Sequence, residues 1–218
     1  MDLKPDSVIA DIGSGTGISA RIFLENGNTV YGVEPNGPMR AAAEKSLAAY
    51  PDFHSVDGTA EHTGLMDGSV DFVTAAQAFH WFEPKTTHAE FKRILKPGGY
   101  VALIWNERQL DTTPFLSDYE RFLLKFANDY TKVRHENVSE ESLKAFFQKD
   151  YRTSVFSNSQ VLDLEGLLGR VASSSYMPSE SDPSFPQMKK ELKILFAKHA
   201  ENGKIELLYD TAVHYSQF

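Results

Sequence analysis

Residues 8–17 read Val8-Ile9-Ala10-Asp11-Ile12-Gly13-Ser14-Gly15-Thr16-Gly17, a short apolar run that passes through an acid into three alternate glycines and then into a helix-like segment. Glycine has no Cβ, so such a chain turns sharply and brings backbone N–H groups and a helix N-terminus up to a polar or anionic ligand. The next apolar run, Thr29-Val30-Tyr31-Gly32-Val33-Glu34, closes on a carboxylate. That is where the second strand of a βαβ unit presents an acid to ribose hydroxyls. Together the two strand ends predict a nucleotide-binding turn.

Two common nucleotide fingerprints fail here. A dinucleotide pattern G-x-G-x-x-G starting at Gly13 needs a third glycine at position 18, which is Ile18. A phosphate loop ending in Gly-Lys-Ser/Thr needs a lysine, and none stands between Lys4 and Lys45. The order D-x-G-x-G-x-G, with an acid closing the next strand, resembles motif I of the class I S-adenosylmethionine (SAM) dependent methyltransferases, in their type 11, ubiquinone-menaquinone-biosynthesis-like group. The resemblance continues in order through Val56-Asp57-Gly58-Thr59-Ala60-Glu61, Gly68-Ser69-Val70-Asp71-Phe72-Val73-Thr74 and Leu95-Lys96-Pro97-Gly98-Gly99-Tyr100-Val101, spanning about half the chain. The runs Ala75–Phe82 and Gly166–Pro178 resemble the small-molecule branch that includes trans-aconitate methyltransferase-like proteins.

Composition narrows the possibilities independently. The 218 residues bury one good core, and a single domain over 1–218 with inserted elements is expected. Without cysteine there is no disulfide, thiolate metal site or cysteine nucleophile, and the seven histidines lack metal-ligand spacing, so no metal is expected. The net charge of −8 argues against nucleic acid as a partner, because neutralising phosphates needs a basic face. No run suits a membrane span or a signal sequence, so a cytoplasmic location is expected, and the acidic balance favours a small-molecule substrate. Oligomeric state is open.

Apolar runs alternate with helix-like segments through the first half: strand 7–11, helix 17–26, strand 29–33, helix 37–49, strands 53–56 and 70–75, helix 85–95 and strand 100–105. This alternation predicts an α/β fold with a parallel sheet covered by helices. Asn26-Gly27 and Pro97-Gly98-Gly99 supply helix stops. In the second half, Thr113-Pro114 opens a helix whose Phe115, Tyr119, Phe122 and Phe126 form an aromatic stripe, read as core in preference to a ligand box. Ser139 is the N-cap of a helix carrying Leu143, Phe146 and Phe147, and 152–162 reads as a strand. A short helix follows Asp163, and a later one aligns Met188, Leu192, Leu195 and Phe196. In the last segment Ile205, Leu207, Tyr209, Thr211, Val213 and Tyr215 alternate with polar residues, a closing strand. The resemblance implies a Rossmann-like seven-stranded, mostly parallel sheet with helices on both faces. Its antiparallel last strand would lie between the fifth and sixth, with 108–138 and 163–202 as helical insertions near the substrate pocket. It also implies an element before the first strand, where this sequence has only Met1–Asp6. Either the chain is shortened or another element covers the cofactor.

The resemblance assigns SAM as cofactor and places its contacts residue by residue. Backbone N–H groups around Gly13, Ser14 and Gly15, with Gly17 closing the turn, approach the methionyl part, and Asp11 orients the loop or reaches the amino group through water. Glu34 accepts from both ribose hydroxyls. Met39 lies against adenine, with Thr59, Ala60 and Glu61 along its edge. Thr59 stands where many relatives have Asp, which moves weight to Glu61. Ala76 and Gln77 border the methionine amino group and the methyl, although Gln77 equally suits a loop hydrogen bond. His80, following the fourth strand, is the candidate general base for an oxygen or nitrogen acceptor; substrate contact and simple packing are its other roles. Trp81 and Trp105 either wall an apolar pocket or fill core. Arg108 and Arg170, with Ser174 and Tyr176 near the latter, either clamp a substrate carboxylate or form salt bridges. The activity implied is methyl transfer to an oxygen of a small carboxylate-bearing or apolar acceptor. The rivals are a SAM-binding module that needs a partner, a nicotinamide-dependent oxidoreductase, and methylation of protein or RNA.

Overall fold

The glycine turn sits in the middle of a seven-stranded sheet. A computed structural model describes residues 1–128, 139–174 and 176–218; residues 129–138 of the first expected insertion, and Ser175 of the branch-like run, lie outside the described residues. In chain order the elements are β1 (Val8–Ile12), α1 (Ile18–Glu25), β2 (Thr29–Val33), α2 (Gly37–Ser46), β3 (Phe53–Val56), β4 (Val70–Ala76), α3 (Pro84–Ile94) and β5 (Leu95–Arg108). Then come α4 (Pro114–Phe126), α5 (Glu140–Phe147), β6 (Arg152–Leu162), α6 (Leu164–Ala172), α7 (Phe185–His199) and β7 (Ile205–Gln217). The strand order is β3-β2-β1-β4-β5-β7-β6.

β1 pairs in parallel with β2, Ile9 against Val30, and with β4, Ile9 against Phe72. β7 runs antiparallel to β5. The Phe218 N–H donates to the Gly99 carbonyl at 2.8 Å; farther along β5 and earlier in β7, the Gln109 N–H donates to Leu208 at 2.9 Å. The Rossmann-like α/β sheet with its antiparallel last strand is therefore as expected. Order reverses at β1/β4, and open α/β sheets bind ligands at such a switch point, beyond the carboxyl ends of their strands.

The chain divides into two compact units: 1–105, 138–154 and 212–218 in the first, and 106–137 and 155–211 in the second. In the first, β1 is buried on both faces, as a parallel strand between helices must be. Ile9 joins Ala20, Leu24, Val30 and Leu47 on one side, while Ala10 and Ile12 face the larger cluster around Phe79, Phe91, Phe146 and Phe147. The Phe146 ring meets Phe79 at 5.0 Å and 71° and Phe91 at 5.7 Å and 78°, edge-to-face arrangements that favour the ring quadrupoles. In the second unit, the stripe of α4 (Phe115, Tyr119, Phe122) packs with Leu167 and Val171 of α6, Met188 and Leu192 of α7, and Ile205 and Leu207 of β7. The stripe is core. Thr113, Ser139 and Asp163 cap their helices through side-chain oxygens.

Three expectations need correction. α2 ends at Ser46 rather than 49, with the Leu47 N–H closing on the Ala43 carbonyl. α3 stops at Ile94 and β5 begins at once, before Pro97-Gly98-Gly99, because a residue preceding proline is pushed out of helical conformation. The sheet then absorbs the glycines as an irregularity: Val70 pairs with Leu95, and Phe72 with Tyr100. In β7 the expected alternation holds from Ile205 to Tyr209, after which Ala212 and Ser216 are the buried positions. The phase flips where the strand passes from the second unit to the first. No helix among the described residues is long and apolar enough to cross a membrane.

Candidate functional site

At the carboxyl ends of β1, β2 and β4, in the first unit, lies a cavity of about 580 Å³, a size that suits a nucleoside-bearing small molecule. Of the residues expected at the cofactor, it is lined by Gly13, Gly15, Glu34, Met39, Thr59, Ala60, Glu61 and Gln77; Trp81 also borders it. Pro35, Asn36, Ala78 and Phe82 line it as well and were not expected. Asn36 had a signal, since Asn36-Gly37-Pro38 is a helix N-cap followed by proline, and its side chain accepts from the Met39 N–H at 3.1 Å. Asp11, Ser14, Gly17, Ala76, His80 and Trp105 do not line the cavity.

Two glycines of the turn answer to different demands. Gly13 has φ of 67°, and a Cβ there would stand 2.6 Å from the Ala78 Cβ, so the close approach of the turn to the end of β4 excludes any side chain. Gly15 has φ of 55° with open space where a side chain would go, on the cavity side. The turn's N–H groups differ from the simple picture of donors aimed at a ligand. Those of Gly13 and Ser14 donate to the Val33 carbonyl at 2.8 and 3.2 Å, and that of Gly17 to the Ser14 carbonyl at 2.9 Å. The Gly15 N–H donates to Glu34 Oε2 at 3.0 Å.

Glu34 is the pivot. It is buried, one oxygen accepting from Gly15 and the other from the Asn36 N–H at 2.9 Å. A carboxylate has about four acceptor sites, so both oxygens keep a lone pair for hydroxyl donors in the cavity. Asp11 braces the turn from beneath: fully buried, it accepts from Ser19 Oγ at 2.6 Å and Thr74 Oγ1 at 3.0 Å, tying β1, α1 and β4 together. Burial pushes its carboxyl up to about 6, partly opposed by those two hydroxyls and the Ala20 N–H.

The opposite edge of the cavity is a loop fastened to α3 by two carboxylates. Glu61 Oε1 accepts from the Glu83 N–H at 2.9 Å. Burial alone would raise its carboxyl, but backbone N–H donors and the Thr59 and Thr87 hydroxyls outweigh it and lower it. Glu90, which no sequence motif singles out, accepts from the Thr63 N–H at 2.8 Å, the Thr63 hydroxyl at 2.6 Å and the Arg93 guanidinium at 2.7 Å. Arg93 first, against burial, and then Thr63 hold its carboxyl down at about 2.

Beyond β4, Gln77 adopts φ of 58°, rare for a residue with a side chain, while its N–H donates to the Ile104 carbonyl at 3.0 Å. His80 follows in a short 3₁₀ turn, its ring 4.8 Å from Trp81 and 5.3 Å, edge-on, from Trp105. Trp81 is 80% exposed, a rim residue rather than core. Arg108, Arg170, Ser174 and Tyr176 belong to the second unit. There Arg108 pairs with Glu120, and the Ser174 hydroxyl closes on the Arg170 carbonyl at 3.1 Å. Among the described residues no group of three or more His, Asp or Glu stands together as metal ligands.

Residues 10–103 match the family described as a methyltransferase domain. An uncharacterized methyltransferase of Mycobacterium tuberculosis is 40% identical over 100 residues, 46% of this chain and 40% of that protein. A methyltransferase-like protein of Schizosaccharomyces pombe is 33% identical over 124 residues, 56% of this chain and 47% of that one, so the alignments span under half of these curated relatives. Among solved structures, a SAM-dependent methyltransferase from Aquifex aeolicus superposes with a TM-score of 0.54 at 20% identity, covering 74% of this chain and 78% of its own. A protein from Anaeromyxobacter dehalogenans, provisionally assigned as a type II methyltransferase, reaches 0.70 at 18% identity, covering 96% and 89%. Residues 10–103 of this chain are thus similar to the methyltransferase-domain family, on a fold shared with a SAM-dependent methyltransferase.

Proposed function

We propose that this chain binds SAM in the cavity of the first unit and transfers its methyl group to a small molecule, at an oxygen of a carboxylate-bearing or apolar metabolite. Glu34 carries the reading: a buried carboxylate held by Gly15 and Asn36, with acceptor capacity left over, lines a cavity whose apolar wall includes Met39, Ala60, Ala78 and Phe82. Such a site suits a ribose beside an adenine. When bound, SAM supplies an electrophilic methyl on a sulfonium. The chain's own residues hold and orient: Glu34 takes the ribose hydroxyls, Met39 packs on the base, and Gln77 closes the end next to β4. His80 accepts the proton from an acceptor hydroxyl at an imidazole nitrogen; a carboxylate acceptor needs no base. The net charge of −8 and the resemblance to trans-aconitate methyltransferase-like proteins support a small acceptor over nucleic acid.

Calorimetric titration with S-adenosylhomocysteine, with NAD as control, tests the cofactor. Binding near the micromolar range, about −8 kcal/mol, is expected for the former and none for the latter. Glu34→Ala is expected to weaken that binding by about tenfold or more, about 1.4 kcal/mol; unchanged affinity would remove Glu34 from the site. His80→Asn is expected to lower turnover of a small-acid panel by about a hundredfold while sparing cofactor affinity, and equal turnover would make it a bystander. The exposed rim residues Trp81 and Met39 favour a second reading, a SAM-binding module completed by another chain. Turnover by this chain alone excludes it.

A further inference from the structure

We propose that the outer edge of β6 pairs antiparallel with the same edge of a second copy of this chain, about a two-fold axis at Asn158. The inference stands whether or not the cavity of the first unit takes SAM. The sheet has two edges, and they are built differently. β3, at one, is four residues long and half-shielded, with only His54 exposed. β6, at the other, is eleven residues long, has β7 as its one neighbour among the described strands, and is exposed throughout 155–161. An edge strand offers a row of unpaired N–H and C=O groups, which proteins blunt with short strands, charges, proline or bulges. The run Thr153-Ser154-Val155-Phe156-Ser157-Asn158-Ser159-Gln160-Val161-Leu162 holds neither charge nor proline. Val155, Phe156 and Val161 are 61%, 58% and 56% exposed, and because side chains alternate along a strand, apolar groups meet water on both faces. The strand itself is held in place, Asn158 donating to the Thr211 hydroxyl of β7 at 3.2 Å.

The sequence of this edge points to its partner. A two-fold that joins antiparallel edges stands normal to the sheet and keeps each side chain on its own face, so the axis falls on a residue and not between two. With the axis at Asn158, Val155 meets Val161 of the other copy and Ser157 meets its Ser159, and symmetry repeats both contacts. Moving the axis by one residue sets Val155 against Ser159 or Asp163 instead. Charge agrees with this pairing. The one charged residue in β6 is Arg152, at its start, while Asp163 and Glu165 follow its end. Antiparallel pairing therefore brings each Arg152 to the acidic end of the other strand. Just before β6, Lys149 and Asp150 offset each other. A chain of net charge −8 repels its own copies, and a neutral seam with complementary ends lowers that repulsion. The run 155–161, at about 3.4 Å per residue, makes a seam about 24 Å long that buries on the order of 500 Å² per copy, under the roughly 800 Å² of a standard interface. The dimer is a weak one, formed and lost with concentration.

The test is sedimentation velocity of the full chain from about 5 to about 400 µM, where growth from one copy to two is expected. Ser157→Lys with Ser159→Lys sets lysine against lysine at both symmetric contacts and should raise the dimer dissociation constant about tenfold or more. Ser157→Lys with Ser159→Glu changes the same two exposed positions but faces each lysine with a glutamate, and should stay within about threefold of the native value. Circular dichroism verifies that each variant is folded. Should the lysine pair fail to fold, Asn158→Lys, which sets two lysines together on the axis, takes its place with the same expected loss. A single copy at every concentration overturns the proposal and leaves this edge to an extended segment of another protein. A dimer untouched by the lysine pair, or weakened equally by both variants, overturns the seam or its register. Growth beyond two copies also overturns it, because a two-fold edge closes with the second.

Discussion

The polar groups around the glycine turn and those around Tyr209 are both largely shielded from water, yet they are completed differently. Beside the turn, both oxygens of Glu34 and both oxygens of Asp11 already have donors. In the second unit the buried Tyr209 hydroxyl finds no partner of good geometry among the described residues, with the Arg170 guanidinium over its ring. A network satisfied by its own chain fixes its geometry during folding. One left open carries a standing penalty, about 1–3 kcal/mol for a buried unsatisfied group, that a ligand can remove. The contrast separates a network closed by the fold from one left open at a single buried hydroxyl.

Breaking the turn should have the largest effect. Gly13→Ala combines a left-handed backbone with a Cβ 2.6 Å from Ala78, and is expected to cost about 3–4 kcal/mol in urea unfolding. Gly15→Ala carries only the backbone strain, about 1–2 kcal/mol, because the space is open. Equal costs would show that the approach to β4 is not what fixes the turn. Asp11 comes next. Its folded value near 6 lies above the ordinary 3.8, so its stabilising contribution is fully present below about pH 4 and is lost as pH rises through 6. The loss is on the order of 2–3 kcal/mol. Unfolding at several pH values from 4 to 7, taken as the difference from Asp11→Asn, should show this slope. Glu90 has the opposite sign and a lower window, its stabilisation being lost as pH falls from its ordinary 4.5 toward 2. The smallest effect sharpens the other half of the comparison. Tyr209→Phe deletes an unpaired buried hydroxyl and should raise ligand-free stability by about 1 kcal/mol. A fall in melting temperature instead would mean that the hydroxyl has a partner.

The sheet and most of the cavity's lining were legible because they rest on local chemistry. Buried parallel strands announce themselves as apolar runs, capping residues as Thr113, Ser139 and Asp163, and a close-approaching turn as Gly13. What escaped depends on partners distant in the chain. Nothing around Glu90 distinguishes it from an exposed helical acid until Thr63, far earlier in the chain, is seen against it. The occupied N–H groups of the turn follow from Val33 and Glu34 lying across from it, a matter of sheet register. Sequence placed Arg170 ahead of Arg108 for its branch-like run, and the ion pair of Arg108 with Glu120, twelve residues on, was not legible there. The phase change in β7 was hidden for a related reason. Alternation reports which face is apolar, and the buried positions of this strand change phase between Tyr209 and Ala212, where it leaves the second unit's core.

The loop carrying Thr59, Ala60 and Glu61 is stitched to α3 at two points, through Glu61 to Glu83 and through Thr63 to Glu90. Its conformational entropy is therefore surrendered once, when the chain folds, instead of at each encounter with a ligand. Ordering a rotamer-rich side chain on binding costs about 0.5–1.5 kcal/mol, and an edge fixed in advance avoids that repeated loss. Association at this edge then resembles docking onto a rigid wall, with a rate governed by diffusion and desolvation, and amide protons such as that of Thr63 exchanging with solvent only when α3 itself lets go.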